Sequence, residues 1–280
     1  MSDGAADKLQ RRLQSGASLF AGLLGAGAGA LTGDPYAAAA TGWVSNEVLS
    51  RVGTEVAARV GESGAARVGA AAMFIQADRL RREAQGEEPR ADGFFDCRGA
   101  VRPEAHDLLE SILLSAANSF EERKLPYLAH VYDSTAFDSS IRTSDALFLS
   151  RLADDLTFHQ LQALAVFGRH ATGDTELELE LAQIEADHRT FDRIADPAVI
   201  TEVIDLGNRR LVGAWLGDGH VRNPSESWGG DWEGLAIGQV ALTDTGELLH
   251  RLMRLQEMPE QDWRTWIADY KGRPRSTTAS

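Results

Sequence analysis

Seven histidines, His106, His130, His159, His170, His188, His220 and His250, are the side chains best suited to hold a metal or move a proton in this chain. A helix-borne metal pair needs two imidazoles on one face, three to five residues apart, and no two of the seven are so spaced. The strings H-E-x-x-H, C-x-x-C and G-x-S-x-G are also missing. Asp187 and His188 with Asp192 bring two carboxylates and an imidazole together, but on an acidic helix they read as a solvated face. The single cysteine, Cys97, follows Asp96 and has only Arg98 as a basic neighbour, so its thiolate lacks the electropositive surroundings of a nucleophile. The expectation is a chain that is not an enzyme and uses no metal and no cofactor.

The most regular spacing belongs to small residues instead. Ala17, Ala21, Gly25, Gly29 and Gly33 recur at every fourth position within 15–33, a run of 19 residues without a charge. In a helix they form one bare stripe, along which a second backbone can approach closely. The run is not a phosphate loop, since it lacks the terminal Gly-Lys-Ser/Thr and follows no strand. In water each such glycine costs about 1 kcal/mol relative to alanine, so something has to compensate. A hairpin inserted in or adsorbed to a membrane satisfies the pattern, and so does a tightly packed soluble helix pair, within one chain or across an oligomer. Lys8, Arg11 and Arg12 ahead of the run also imitate a secretory signal, against which Asp3, Asp7 and the glycine content argue.

Composition narrows the partners. The 280 residues carry a net charge of −14, with 16 basic and 22 acidic groups in 1–156 and 12 and 20 in 157–280. Neutralising phosphates takes clustered Lys and Arg, so nucleic acid is an unfavoured partner. One cysteine excludes an internal disulfide framework and fits a reducing compartment. The expected location is the cytoplasm, with association to the inner membrane if the leader seeks lipid.

The elements that would carry these residues are helical. Gly33-Asp34-Pro35 marks a turn between two helix-compatible runs, giving a hairpin at the front. Val48, Leu49, Val52, Val56 and Val60 then recur at helical spacing, with Glu47, Arg51, Glu55 and Arg59 as an i,i+4 series on another face. After a break near 61–64 a third helix is predicted over 65–84, with Val68, Ala72, Ile75 and Leu80 inward and Arg79, Arg81 and Arg82 at its basic end. A Gly- and Pro-rich linker covers 85–103, pinned by Phe94 and Phe95. Central helices are predicted at 104–118, 121–133 with Pro126 in the way, 144–156 and 157–170. Leu108, Leu109, Ile112, Leu113 and Ala116 form a core face.

From 157 to 271 the pattern is three helices (158–169, 175–194, 197–216), strands near 219–222 and 235–242, and a helix over 243–255 capped by Thr243. That layout predicts a winged-helix-like domain, followed by a frayed tail at 272–280. Arg209 and Arg210 lie where a recognition helix would meet DNA, sharing it with Glu202 and Asp205. Trp228 and Trp232 read as wing-loop residues folded back on the domain, beside Asp231 and Glu233. The fold expected is mainly α: a helical hairpin and third helix over 1–84, a central bundle over 104–156, and a C-terminal winged-helix-like α+β domain.

Two segments, EAHDLLESILLSAANSFEERKLPYLAHVYDSTAF and LADDLTFHQLQALAVF, resemble those of prokaryotic abortive-infection alpha-type proteins, which are implicated in phage defence. The residues that carry it are Glu121, Glu122, Lys124, Pro126, Leu128 and Ala129, matching EE-x-K-x-P-x-L-A, then Leu156, Gln160 and Leu161 of an L-T/S-x-x-Q-L helix, across 104–256. No catalytic residue comes with them, and the Gly/Ala leader is not a defining part of that family. The resemblance implies a non-enzymatic bacterial defence or stress protein. Together with the stripe it leads to a self-associating protein that docks to or perturbs the inner membrane. The alternative is a soluble oligomeric scaffold or regulator whose winged helix binds a protein partner or DNA.

Overall fold

Apolar residues recurring at helical spacing become helices through most of the chain. The structure, a computed structural model, describes residues 46–97, 102–188, 197–215, 221–222 and 237–271. It is mainly α-helical and divides into two units, Met1–Asp155 and Leu156–Ser280. The predicted hairpin with its small-residue stripe, the wing-loop tryptophans and the tail lie outside the described residues. Among the described residues no helix is long and apolar enough to cross a membrane.

The first unit contains α1 (Asn46–Ala57), α2 (Glu62–Ala84), α3 (Glu104–Asn118), α4 (Leu125–Phe137) and α5 (Thr143–Asp155). Helix α3 packs against the other four, because Leu108, Leu109, Ile112, Leu113 and Ala116 are all fully buried. The helices on either side of the 85–103 connection thus share one core. The break before α2 falls at 58–61, while Gly64 lies inside α2, close enough to α3 that a Cβ there would sit 3.4 Å from the Ala117 carbonyl oxygen. Pro126 is no obstacle: it occupies the first turn of α4, where its missing N–H would have had no helical partner, and the helix runs on to Phe137. Two cations close helix C-termini. Arg67 donates twice to the Ala117 carbonyl, at 3.1 and 2.7 Å, and the buried Lys124 donates from Nζ to the Asp154 carbonyl at 2.7 Å.

The second unit contains α6 (Phe158–Ala171), α7 (Thr175–His188), α8 (Pro197–Asn208), β1 (Val212–Trp215), β2 (Val221–Arg222), β3 (Val240–Leu242), α9 (Asp244–Leu252) and α10 (Glu260–Lys271). A capping box opens α6: the Thr157 hydroxyl accepts from the Gln160 N–H at 3.1 Å, and the Gln160 carboxamide accepts from the Thr157 N–H at 2.9 Å. The strands form an antiparallel sheet in the order β2-β1-β3, with Ala214 opposite both Arg222 and Val240.

Two expectations change here. Helix α8 ends at Asn208 rather than at 216, because Arg210 turns into the left-handed region at φ 60° and 212–215 joins the sheet as its middle strand. The apolar residues there pack as a strand despite their helix-compatible spacing. Helix α10 was not anticipated at all, yet Trp266 is fully buried, its ring 5.6 Å edge-on from Phe167 and 5.5 Å in a stack with Tyr270.

Helix α10 is also tied to the acidic helix α7. The Arg264 guanidinium reaches Glu176 at 2.7 Å, Glu180 at 2.8 Å and its own helix's Glu260, and Lys271 reaches Glu180 at 2.6 Å. The glutamates of α7 read from sequence as a solvated face therefore include two that brace α10. Exposed networks of this kind are worth little, so Arg264→Ala is expected to cost about 1 kcal/mol in urea unfolding at low ionic strength. That loss should shrink in molar salt, which screens the wild-type pairs.

Candidate functional site

Charged side chains buried on helix faces are the sites the structure adds to the sequence. On α2 the inward positions run Val68, Ala71, Ala72, Ile75 and then Asp78, while Leu80 is only half-buried. Facing them on α4 are Tyr132 and Asp133, both fully buried. Among the described residues neither Asp133 oxygen has a hydrogen-bond partner, nor has the Tyr132 hydroxyl. Burial, and next the neighbouring Asp78 charge, push the Asp133 carboxyl well above its ordinary range, against the pull of Arg82, Arg81 and Arg79. Burial and the Asp133 charge likewise push up the Tyr132 phenol. Asp78 pairs with Arg81 at 2.7 Å and Arg82 at 3.6 Å, and Arg82 lies 4.7 Å over the Phe137 ring. A carboxyl this enclosed can hold a proton but cannot reach a substrate.

A second cluster joins three helices of the other unit. His159 on α6 bonds through Nδ1 to Glu202 of α8, and its Nε2 lies 3.3 Å from Asp269 of α10. Burial works to lower the imidazole pKa, but the Glu202 hydrogen bond and the two carboxylate charges outweigh it, and the net shift is upward. Nδ1 is hydrogen-bonded to Glu202, whereas Nε2 lies within ion-pair distance of Asp269 without completing a hydrogen bond. Beside it Gln160 donates to Asp205 at 2.8 Å, and Asp205 pairs with Arg209 at 2.9 Å. His250 behaves oppositely. Burial first, then the Arg169 charge, push it down to about 4, so it packs as a neutral ring against Gly168.

A depression of about 550 Å³ in the first unit is open to solvent. Arg90, Asp92, Glu104, Asp107, Arg142 and Thr143 contribute to its walls. Arg90 is committed elsewhere: Nη1 donates to the carbonyls of Thr135, Asp138 and Ile141 at 3.2, 3.2 and 2.7 Å, and Nε and Nη2 hold Asp92. It fastens the 87–97 loop to the end of α4, helped by its stacking 4.8 Å over the buried Phe94. Glu104 accepts from the Thr143 hydroxyl, joining the first turns of α3 and α5.

The residues singled out from sequence fall as follows. Arg209 is in the ion pair with Asp205, and the Arg210 carbonyl accepts from the Thr243 hydroxyl at 2.5 Å. Cys97 is exposed. Ala17, Ala21, Gly25, Gly29 and Gly33 lie outside the described residues, as do the side chains of Asp187, His188 and Asp192. Among the described residues no group of three or more His, Cys, Asp or Glu is placed to hold a metal ion.

The residues behind the abortive-infection resemblance have structural tasks: Lys124 caps α5, Pro126 starts α4, and Gln160 closes the capping box of α6. The Glu202, Asp269 and Asp133 contacts left no local trace, since each partner comes from a distant helix. Comparison with protein-family models, with curated proteins and with solved structures returned no match.

Proposed function

We propose that this chain is a non-enzymatic assembly and docking protein, of the kind used in bacterial defence or stress responses. It self-associates through the Ala17, Ala21, Gly25, Gly29 and Gly33 stripe and docks to or perturbs the inner membrane from the cytoplasm. The observation that carries the reading is the use made of polar side chains. Arg67, Lys124, Arg90 and His159 are all directed at the protein's own helix ends or carboxylates. Such an arrangement suits a braced body that works through its surface. Large apolar side chains meanwhile face outward, among them Phe120, which is 98% exposed, Phe148, Leu179 and Trp215.

The second unit acts in this reading as a winged-helix-like module that engages a protein partner. Three helices, an antiparallel sheet and a following helix support that description. A protein is favoured over DNA because Arg209 at the α8 end is already paired with Asp205, and the unit holds 12 basic against 20 acidic groups.

Light scattering of the full chain with and without detergent tests the assembly. The expected result is a particle larger than one chain, which Gly29→Leu reduces to a monomer because a branched side chain separates the backbones. A monomer in both conditions for the wild type overturns it. Retention on a DNA column that weakens in salt and in Arg209→Ala would shift the second unit's partner to DNA.

A further inference from the structure

We propose that His159 is a proton-released latch that holds α10 against the second unit, a device that stands whichever partner the unit engages. Its three parts come from three helices: the imidazole from α6, Glu202 from α8 and Asp269 from α10. Among the described residues these two carboxylates are the charged groups that face the ring, while Asp205 and Arg209 of α8 pair with each other beside it. A protonated imidazole has two N–H donors and can hold both carboxylates, whereas a neutral one has a single N–H. Glu202 has the closer bond, so loss of the proton releases Asp269, the more exposed partner, and with it the C-terminal half of α10. The side chains thereby loosened include Trp266 and Tyr270, the buried aromatic residues of α10 itself.

The sign of the effect follows from the raised pKa. The ring is more easily protonated in the fold than in the unfolded chain, where it titrates near about 6.5. The latch is therefore fully closed below that pH and opens as the pH climbs through the folded value.

Amide hydrogen exchange of the full chain, corrected for the intrinsic pH dependence, reads this directly. Protection of the α10 amides is expected to fall about tenfold between about pH 6 and pH 8.5. The fall should be absent in His159→Gln and in Asp269→Asn, the second variant altering only a half-exposed surface group. A flat wild-type profile overturns the proposal, and so does a slope that survives in both variants.

Discussion

Asp133→Asn is expected to raise the urea midpoint of unfolding at pH 8 and to leave it nearly unchanged at pH 4. The wild-type carboxyl is fully buried between α2 and α4, has no hydrogen-bond partner among the described residues on either oxygen, and faces a second carboxyl at Asp78. In the unfolded chain it ionises at about 3.9, while in the fold burial pushes its pKa well above that. Above that pH the unfolded state binds fewer protons than the native one. Stability is then lost as the pH rises, by about 1.4 kcal/mol per pH unit through this group, until the native carboxyl also ionises. Asparagine has nearly the same shape, cannot titrate and suffers the same lack of partners, so only the slope should disappear. Parallel profiles for wild type and variant between pH 4 and pH 8 would mean that Asp133 is ionised and paired.

Gly246→Ala is expected to cost about 3 kcal/mol, near the upper end for an added methyl, because the obstruction is backbone. A Cβ at this position would lie 1.9 Å from the Leu211 carbonyl oxygen. That oxygen accepts from the Thr243 N–H at 3.1 Å, the Thr243 hydroxyl caps Gly246 at 3.1 Å, and the same hydroxyl donates to the Arg210 carbonyl. Moving α9 away to admit the methyl would break this cap and pull the turn after α8 from its place beside β1. Gly61→Ala is the control. Its φ of −67° suits any residue and a Cβ there meets nothing, so only the modest cost of an alanine at the N-cap of α2, well under about 1 kcal/mol, is expected. Equal effects at the two glycines, read as urea midpoints, would refute the close approach.

The helices were largely legible because their signals are local. The face Leu108, Leu109, Ile112, Leu113 and Ala116 announced α3 by spacing alone, and Thr243 announced the cap of α9. Helix α10 had the same signal in Trp263, Trp266, Ile267 and Tyr270, but the sequence reading assigned no element to that part of the 157–271 domain. The 212–215 stretch misled in the other direction. Val212 and Ala214 are as acceptable in a helix as in a strand, and what decided between them was pairing with 240–242, some thirty residues on.

The candidate sites were not legible, for the same reason taken further. Asp78 follows Val68, Ala71, Ala72 and Ile75 on one face, and in sequence an acid there looks like the point where the apolar stripe stops. Its burial depends on Tyr132 and Asp133 arriving from α4. Likewise His159 is one histidine among seven until α8 brings Glu202 and α10 brings Asp269 to its two nitrogens.

Unaided, the order of residues set the mainly helical character, the limits of α2, α3, α5 and α6 to within a few residues, the capping signals and the acidic charge, since each depends on neighbours within a few turns of chain. Packing alone decided which strand stands in the middle of the sheet, which carboxyl keeps its proton and which histidine is clamped. Those properties arise from solvent exclusion and from partners tens of residues away, and local spacing contains no record of either.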